Sequence, residues 1–295
     1  MSELVRGRSL WQDALRRLRR NTFAVVGGVF VVALVVACVV VPKVVSHSGQ
    51  NTAFKYQPPG SRDPATERLH LFGTDELGRD LFARTFYGGR ISLLIGFVAT
   101  LVAVVIGTAY GAIAGFAGGR VDNFMMRIVD VLYGLPYMFL VILILVVVGR
   151  GLIPIFAALG LFNWLTTSRI VRGQILTYKN MEFVQSARTI GASSGRIVFR
   201  HLLPNVIGPV IVYSTLSVPS VILLESFLSF LGLGVQEPHT SWGQLAAEGT
   251  RAINAVESNW WVLAFPVLFL AITLLSLNFA GDGLRDALDP KGKRA

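Results

Sequence analysis

The side chains that could catalyse a reaction or bind a metal ion are few and widely separated in this sequence. His47, His70, His201 and His239 lie in different polar segments, and Cys38 is the only cysteine. This spacing provides no cysteine-cluster metal site, intrachain disulfide or catalytic Cys-His pair. The sequence also lacks the zinc-protease, serine-hydrolase and phosphate-loop signatures. We therefore expect no metal site, no enzymatic activity and no ATP hydrolysis by this chain alone.

Glu225 is the acidic residue with the most informative surroundings, because it directly follows a long uncharged run. A buried carboxylate is costly unless it is paired, hydrated or protonated. One interpretation is that Glu225, with Pro219 and Ser226, lines a passage near its outer mouth. The alternative is that Glu225 lies at the level of lipid headgroups or caps a neighbouring helix. The small residues after it predict that the chain turns back there, as a short re-entrant helix.

A polar stretch, EFVQSARTIGASSGRIVFRHLLPN (182–205), interrupts the apolar sequence. Helical spacing places five of its residues on one face: Phe183, Val184, Ala187, Ile190 and Gly191. Gly191 can end this helix, and Ser193 or Ser194 can cap the next one. Pro204 marks the entry to the following apolar run. The pattern predicts a short helix, a bend and a second helix, although an amphipathic linker at the membrane surface has similar features.

Long uncharged stretches dominate the rest of the chain. Of the 295 residues, 53% are hydrophobic and 15% are charged, whereas a soluble domain has about 25% charged residues. Six stretches approach or exceed the ~20 residues that cross a bilayer as a helix: 23–41, 91–116, 131–148, 151–168, 206–224 and 260–280. Because apolar and polar residues do not alternate along these stretches, a transmembrane β-barrel is excluded. We predict an all-α integral membrane protein with six transmembrane helices.

The basic residues predict how these helices are oriented. The net charge is +10, and 18 of the 27 Lys and Arg residues fall in 1–22, 117–130, 169–205 and 281–295. If the six stretches span the membrane, these segments share one side, and basic loops usually remain in the cytoplasm. Both termini are therefore predicted to be cytoplasmic, and the charge reflects topology rather than nucleic-acid binding. Arg79, Arg84 and Arg90 would then lie outside, where an amphipathic surface helix would accommodate them.

The predicted organisation has five parts. These are a cytoplasmic N-terminal segment (1–22), a first transmembrane helix retained as an anchor (23–42), an extracytoplasmic loop with a surface helix (43–90), a core transmembrane domain (91–282) that includes cytoplasmic residues 180–204, and a cytoplasmic tail (283–295). Gly107, Gly111 and Gly115 recur at four-residue spacing, which lets helices pack closely. We expect that packing within this chain rather than against a partner. Arg127 and Asp130, three residues apart, are expected to form an ion pair.

Several blocks of the sequence resemble ABC importer permeases of the oligopeptide, dipeptide and nickel branch. That family's cytoplasmic loop has Glu-Ala-Ala, three residues, Gly, nine residues and Ile-x-Leu-Pro. The spacing matches Gln185-Ser186-Ala187, Gly191 and His201-Leu202-Leu203-Pro204, with Gln, Ser and His as departures. Residues 70–96, 225–245 and 278–291 are similar to further landmarks. GRSLWQDALRRLRRN (7–21) is similar to the N-terminus of oligopeptide permease C subunits.

This resemblance implies a type I ABC importer permease fold in a bacterial inner membrane. Residues 180–204, here called the coupling segment, would dock on an ATP-hydrolysing subunit. The implied coupling residues are Phe183, Gln185, Ser186, Ala187, Ile190, Gly191 and Pro204. The chain would pair with a second permease subunit, two ATP-binding subunits that hold ATP and Mg²⁺, and an extracytoplasmic peptide-binding protein, within membrane lipid.

The resemblance implies the uptake of short peptides, and the N-terminal block favours oligopeptides. Dipeptides or nickel, the ligands of sister branches, are the alternatives within the family. An ion-coupled secondary transporter is a different class, which would require ionisable residues within the membrane. The six stretches hold none, apart from Glu225 at one edge. A membrane enzyme has no catalytic constellation to support it.

Overall fold

The part of the chain that the structure describes is an α-helical bundle with one small two-stranded sheet. The computed structural model describes residues 10–45, 49–63, 67–253 and 257–288, with side chains from residue 15. The described helices are α1 (Leu10–Arg20), α2 (Thr22–Val44), α3 (Leu81–Ala117), α4 (Gly119–Tyr133), α5 (Tyr137–Val148), α6 (Leu152–Tyr178), α7 (Glu182–Thr189), α8 (Ser194–Arg196), α9 (Leu203–Phe230), α10 (Trp242–Arg251) and α11 (Trp261–Leu288). A π-helical turn, Ile197–Leu202, joins α8 to α9 in one 37-residue helix, Ser194–Phe230.

Four of the described helices are long and apolar enough to cross a membrane: α2, α3, Ser194–Phe230 and α11. The predicted span 131–148 is not one straight helix, because α4 and α5 meet at an angle of 80°. Pro136, which has no N–H group, lies at this break and favours it. The second half of α6 carries Arg169 and Arg172, so α6 is less apolar. The count of six spans stays a prediction.

Helices α2 and α11 are antiparallel neighbours. A Cβ atom at Gly27 would lie 2.7 Å from the Ser276 carbonyl oxygen, and one at Gly283 would lie 2.1 Å from the Ala24 Cβ. The start of α2 and the end of α11 therefore lie at the same end of the bundle, which is compatible with termini on one side of a membrane.

Helix α11 continues past residue 280, where the sequence predicts that the span ends. It runs to Leu288, so the predicted boundary at 282/283 falls inside a helix. Gly281 and Gly283 do not end this helix, because they pack closely against Leu216 and Ala24. Asp282, Arg285 and Asp286 are exposed on its last turns, while the rest of the predicted tail, 289–295, lies outside the described residues.

The structure differs from the prediction of a surface helix before residue 91. Asp80 caps α3, accepting a hydrogen bond from the Ala83 N–H at 2.8 Å, and α3 then runs unbroken to Ala117. Arg84 is only 3% exposed. It pairs with Asp75 and with both oxygens of Glu248, at 2.6 and 3.1 Å. Residues 81–90 are thus the buried first turns of α3, because these carboxylates compensate the charge of Arg84.

The rest of the segment between α2 and α3 is largely irregular. It contains a short 3₁₀ turn (Thr52–Phe54) and two antiparallel strands, β1 (Ser61–Arg62) and β2 (Leu69–His70), in which Ser61 lies opposite His70. His70 Nδ1 lies 2.7 Å from the Asp80 carboxylate. This loop is therefore attached to the N-cap of α3.

Candidate functional site

The coupling segment begins with α7, which is fixed to the bundle by its inward face. Val184 is fully buried and Ala187 is 4% exposed. Both belong to a core cluster that includes Ile175 of α6, Ile197 of the π turn and Leu202. α7 is therefore packed against both helices that enter and leave the coupling segment.

Gly191 ends α7 with a specific backbone geometry. Its φ angle is +81°, in the left-handed region that favours glycine. The Gly191 N–H donates to the Arg188 oxygen and the Ala192 N–H donates to the Ala187 oxygen, both at 3.0 Å. This pair of bonds is the Schellman motif. Ser193 then caps the next helix by accepting a hydrogen bond from the Arg196 N–H at 3.4 Å.

The predicted apolar face of α7 is divided between the core and the solvent. Val184 and Ala187 point inward, whereas Phe183 is 40% exposed and Ile190 is 85% exposed. Gln185, Ser186 and Gly191 are also exposed. Ala187 is thus not available for docking, since its small side chain is used within this chain. The exposed residues form a surface that a second protein can contact.

Pro204 lies at the entry to the following apolar run, where the sequence predicts it, but it does not interrupt the helix. It lies in the first turn of α9, inside the continuous helix Ser194–Phe230. Proline lacks an N–H group and its ring crowds the carbonyl four residues earlier. The preceding π turn accommodates this, and the Leu203 N–H bonds to the Val198 oxygen, five residues back.

Ionic contacts hold the helices around the coupling segment. Arg172 of α6 makes two hydrogen bonds to buried Asp122 of α4, at 2.5 and 2.7 Å. The Lys179 ammonium donates to the Gly115 oxygen at 2.9 Å. Asp130 accepts a hydrogen bond from Arg169 of α6 at 2.7 Å. The sequence predicted Arg127 as the partner of Asp130, and that prediction is wrong. These contacts fix the end of α6, which leads into the coupling segment, to α3 and α4.

The three glycines of α3 face α6. A Cβ atom would lie 2.5 Å from Thr167 Cβ at Gly107, 2.4 Å from the Ser168 oxygen at Gly111, and 3.0 Å from the Arg172 oxygen at Gly115. The structure thus places this ladder at an interface within the chain. The close packing holds α6, and with it the start of the coupling segment, against α3.

The residues predicted to line a passage are all buried inside this chain. Glu225 is 0% exposed, Ser226 is 4% exposed and Pro219 is also buried. The Ser92 hydroxyl donates to Glu225 at 2.9 Å. Glu225 is therefore enclosed by serine hydroxyls of its own chain and caps no neighbouring helix in the described residues, so neither of the two interpretations from the sequence describes its contacts. Sequence reasoning did not select Ser92, whose only signal is that it is a polar residue in an apolar run.

An apolar groove of about 700 Å³ lies between α3 and the helix Ser194–Phe230. Its lining includes Val105 and Ile113 of α3, and Phe199 and Ile207 of the facing helix. Phe199 is 74% exposed. The groove begins beside the coupling segment, so this side of the bundle is apolar and uncovered in the single chain.

Comparison with known families decides the assignment of the chain. A family model described as the binding-protein-dependent transport system inner membrane component matches residues 103–294. The chain belongs to this family. A second model, for the N-terminal transmembrane domain of oligopeptide transport permease C, matches residues 9–59. The predicted family and its inner-membrane location are therefore confirmed, and the chain is hereafter called the permease.

Curated relatives span nearly the whole permease. It is 48% identical over 287 residues to the dipeptide transport system permease protein DppC of Bacillus subtilis, covering 97% of this chain and 87% of the relative. Identity to the oligopeptide transport system permease protein OppC of Haemophilus influenzae is 47%, over 97% and 90%. Identity to OppC of Escherichia coli is 48%, over 98% and 94%.

Solved structures agree on the fold. A chain from inward-facing conformations of the MetNI methionine ABC transporter superposes with a TM-score of 0.57 at 20% identity, covering 70% of the permease and 96% of that chain. A second crystal form gives a TM-score of 0.54 at 19% identity, covering 68% and 93%. The predicted all-α permease fold is therefore confirmed.

Proposed function

We propose that the permease forms half of the translocation pathway of an ATP-driven importer of short peptides, and that its coupling segment docks on a separate ATP-hydrolysing subunit. The main support is the division of α7 into two sides. Val184 and Ala187 fix α7 to the bundle, while Phe183, Gln185, Ser186, Ile190 and Gly191 face outward. A helix held in this way transmits a displacement of its exposed side to the helices on which it is packed.

The energy source lies on other subunits in this proposal. The sequence has no phosphate loop, so two ATP-binding subunits would supply ATP and Mg²⁺. In this proposal a second permease packs against the apolar side of the bundle that contains the groove beside α3, and membrane lipid, which is equally apolar, covers the rest of that side. The family description names a binding-protein-dependent transport system, and in this proposal an extracytoplasmic binding protein delivers the substrate.

Oligopeptides are the proposed substrate class, with dipeptides as the second candidate. The match of residues 9–59 to oligopeptide permease C supports oligopeptides, and the 48% identity to a dipeptide permease supports dipeptides. A series of labelled peptides of two to six residues, offered to the reconstituted complex, would separate these candidates by the length that is taken up fastest.

The proposal is tested first by isolating the tagged permease from native membranes in mild detergent. We expect a second permease and a phosphate-loop ATPase to co-purify, with ATPase activity that increases in the presence of peptide and binding protein. The control is an Ile190→Asp variant, which should remain in the membrane and lose the ATPase. A permease that is alone or self-associated, without ATPase activity under conditions that preserve known complexes of this type, would contradict the proposal.

A further inference from the structure

The carboxylate of Glu225 is connected to both ends of residues 235–242, here called the outer segment because the predicted topology places it on the extracytoplasmic side. Glu225 lies in the penultimate turn of α9 and is 0% exposed. No ion pair to it is present among the described residues. The Ser226 hydroxyl lies 3.4 Å from Oε2, and the Ser241 side chain is also a partner. Two shorter hydrogen bonds come from other serine hydroxyls: Ser229 donates to Oε1 at 2.7 Å, and Ser92 donates to Oε2 at 2.9 Å.

Each of these two serines also accepts a backbone hydrogen bond from the outer segment. The Val235 N–H donates to Ser229 Oγ, and the Trp242 N–H donates to Ser92 Oγ, both at 3.2 Å. A backbone N–H group can only donate, so each hydroxyl proton is free to point at the carboxylate. One carboxylate therefore orients two hydroxyls, which hold the first and last residues of the outer segment.

Other contacts brace the middle of the outer segment from the side of α3. Arg79 Nη1 donates to Glu237 at 3.2 Å, and the Tyr87 hydroxyl lies 2.7 Å from His239 Nδ1. The Trp242 indole N–H donates to the Thr85 oxygen at 2.9 Å. Residues 236–238 remain exposed. The outer segment is thus a loop that is fixed by hydrogen bonds along its length and exposed at residues 236–238.

Glycines allow the close approach on which this arrangement depends. A Cβ atom at Gly234 would lie 2.0 Å from Ser229 Oγ, and one at Gly243 would lie 2.1 Å from the Ser226 oxygen. These two glycines directly flank the outer segment. Glycine, which has no Cβ atom, therefore permits the close contact with α9 at each end of the outer segment.

We propose that Glu225 is a positioning residue that links the outer segment to the coupling segment. The helix that contains Glu225 begins at Ser194, three residues after Gly191, and continues to Phe230. A displacement of its cytoplasmic end, where α7 docks, is carried along this helix to Glu225. Through Ser229 and Ser92, Glu225 keeps the outer segment in register with α9 and α3. This inference rests on the proposed function.

The test uses the complete complex, purified in lipid, with three variants and one matched control. Glu225→Gln keeps the size of the side chain but has one acceptor oxygen in place of two, so either Ser92 or Ser229 loses its acceptor. Ser92→Ala and Ser229→Ala each remove one connection. The control is Thr273→Val on α11, because Thr273 is equally buried and its hydroxyl donates to the Phe269 oxygen of its own helix, at 2.6 Å, away from the outer segment.

The decisive quantity is the number of peptides transported per ATP hydrolysed, since a purely structural role would lower assembly and leave this ratio unchanged. We expect the ratio to fall by about fivefold in Glu225→Gln, and by a smaller factor in each serine variant. Basal ATPase activity of the three variants and all activities of the Thr273→Val control should match the wild type. A spin label at Gln236→Cys should become more mobile in the three variants, with Cys38 left in place because it is 1% exposed.

A wild-type ratio in all three variants would overturn the inference, and so would an equal loss in Thr273→Val. If Glu225→Gln fails to assemble, the two serine variants decide the question in the same way. A wild-type complex that takes up no peptide with ATP would instead refute the proposed function, so the two failures are distinguishable.

Discussion

Ile190 and Val184 lie six residues apart on the coupling segment, and their substitution by alanine is predicted to have opposite consequences. Ile190 is 85% exposed, whereas Val184 is 0% exposed. If α7 docks on an ATPase subunit, Ile190 is buried by the partner, while Val184 is already buried within the permease. Ile190→Ala should therefore weaken docking, and Val184→Ala should weaken the packing of α7.

The magnitude for Ile190 follows from its exposed area. Replacing Ile by Ala removes three carbon atoms, each of which contributes ~0.8 kcal/mol when it is transferred from water to an apolar contact. Because 85% of the side chain is available for burial, the loss approaches ~2 kcal/mol, or ~30-fold in Kd. Val184→Ala should leave Kd within ~3-fold and lower the stability of the coupling segment by ~1–2 kcal/mol.

The assay is a titration of the permease pair in nanodiscs with fluorescently labelled ATPase subunit, together with proteolysis of the coupling segment. Ile190→Ala should give the weaker Kd with wild-type protease resistance, and Val184→Ala should give the faster cleavage. Equal Kd values for Ile190→Ala and the wild type would refute the assignment of α7 as the docking helix. A larger effect on Kd from Val184→Ala would refute the assigned orientation of α7.

Three further predictions concern the frame around the coupling segment. Gly111→Ala should lower the thermal midpoint of the complex through overpacking of ~1–3 kcal/mol, whereas Gly173→Ala on exposed α6 surface should leave it unchanged or raise it. Gly191→Val should reduce peptide-stimulated ATPase activity, because the left-handed backbone at this position costs a branched residue ~1–2 kcal/mol. Gly191→Asn should retain most of the activity, and equal activities of the Val and Asn variants would contradict this reasoning. Arg172→Gln should destabilise the complex in a thermal melt by ~1–3 kcal/mol by leaving Asp122 buried without its cation, and Asp122→Asn in the same chain should restore part of the loss.

Local features of the site could be predicted from the sequence because they depend on neighbouring residues. Gly191 as the end of a helix and Ser193 as the cap of the next one follow from the chemistry of glycine and serine. Both are present, with the Gly191 φ angle at +81°. The apolar spacing of α7 was also informative, since Val184 and Ala187 are buried. The spacing could not show that the edge of this face, Ile190, is exposed.

Features that depend on distant residues could not be predicted. Arg84 is buried because Glu248, 164 positions later, reaches it, whereas the sequence showed only a charge in a predicted outer loop. Glu225 is held by Ser92, 133 positions earlier, so a carboxylate that suggested a passage is enclosed by the fold. Asp130 has Arg127 at helical spacing but bonds to Arg169 on another helix. In each case tertiary contacts determined the burial and the pairing of the charge.

The most direct test of the central claim is uptake of a labelled peptide by proteoliposomes that contain the purified complex and its binding protein. With ATP supplied on the side of the ATPase subunits, we expect peptide to accumulate against its gradient in the wild type. The Ile190→Asp variant should show no accumulation. A non-hydrolysable ATP analogue, or an imposed proton or sodium gradient without ATP, should also give none. Accumulation that is driven by the ion gradient and is indifferent to ATP and to Ile190→Asp would contradict the account.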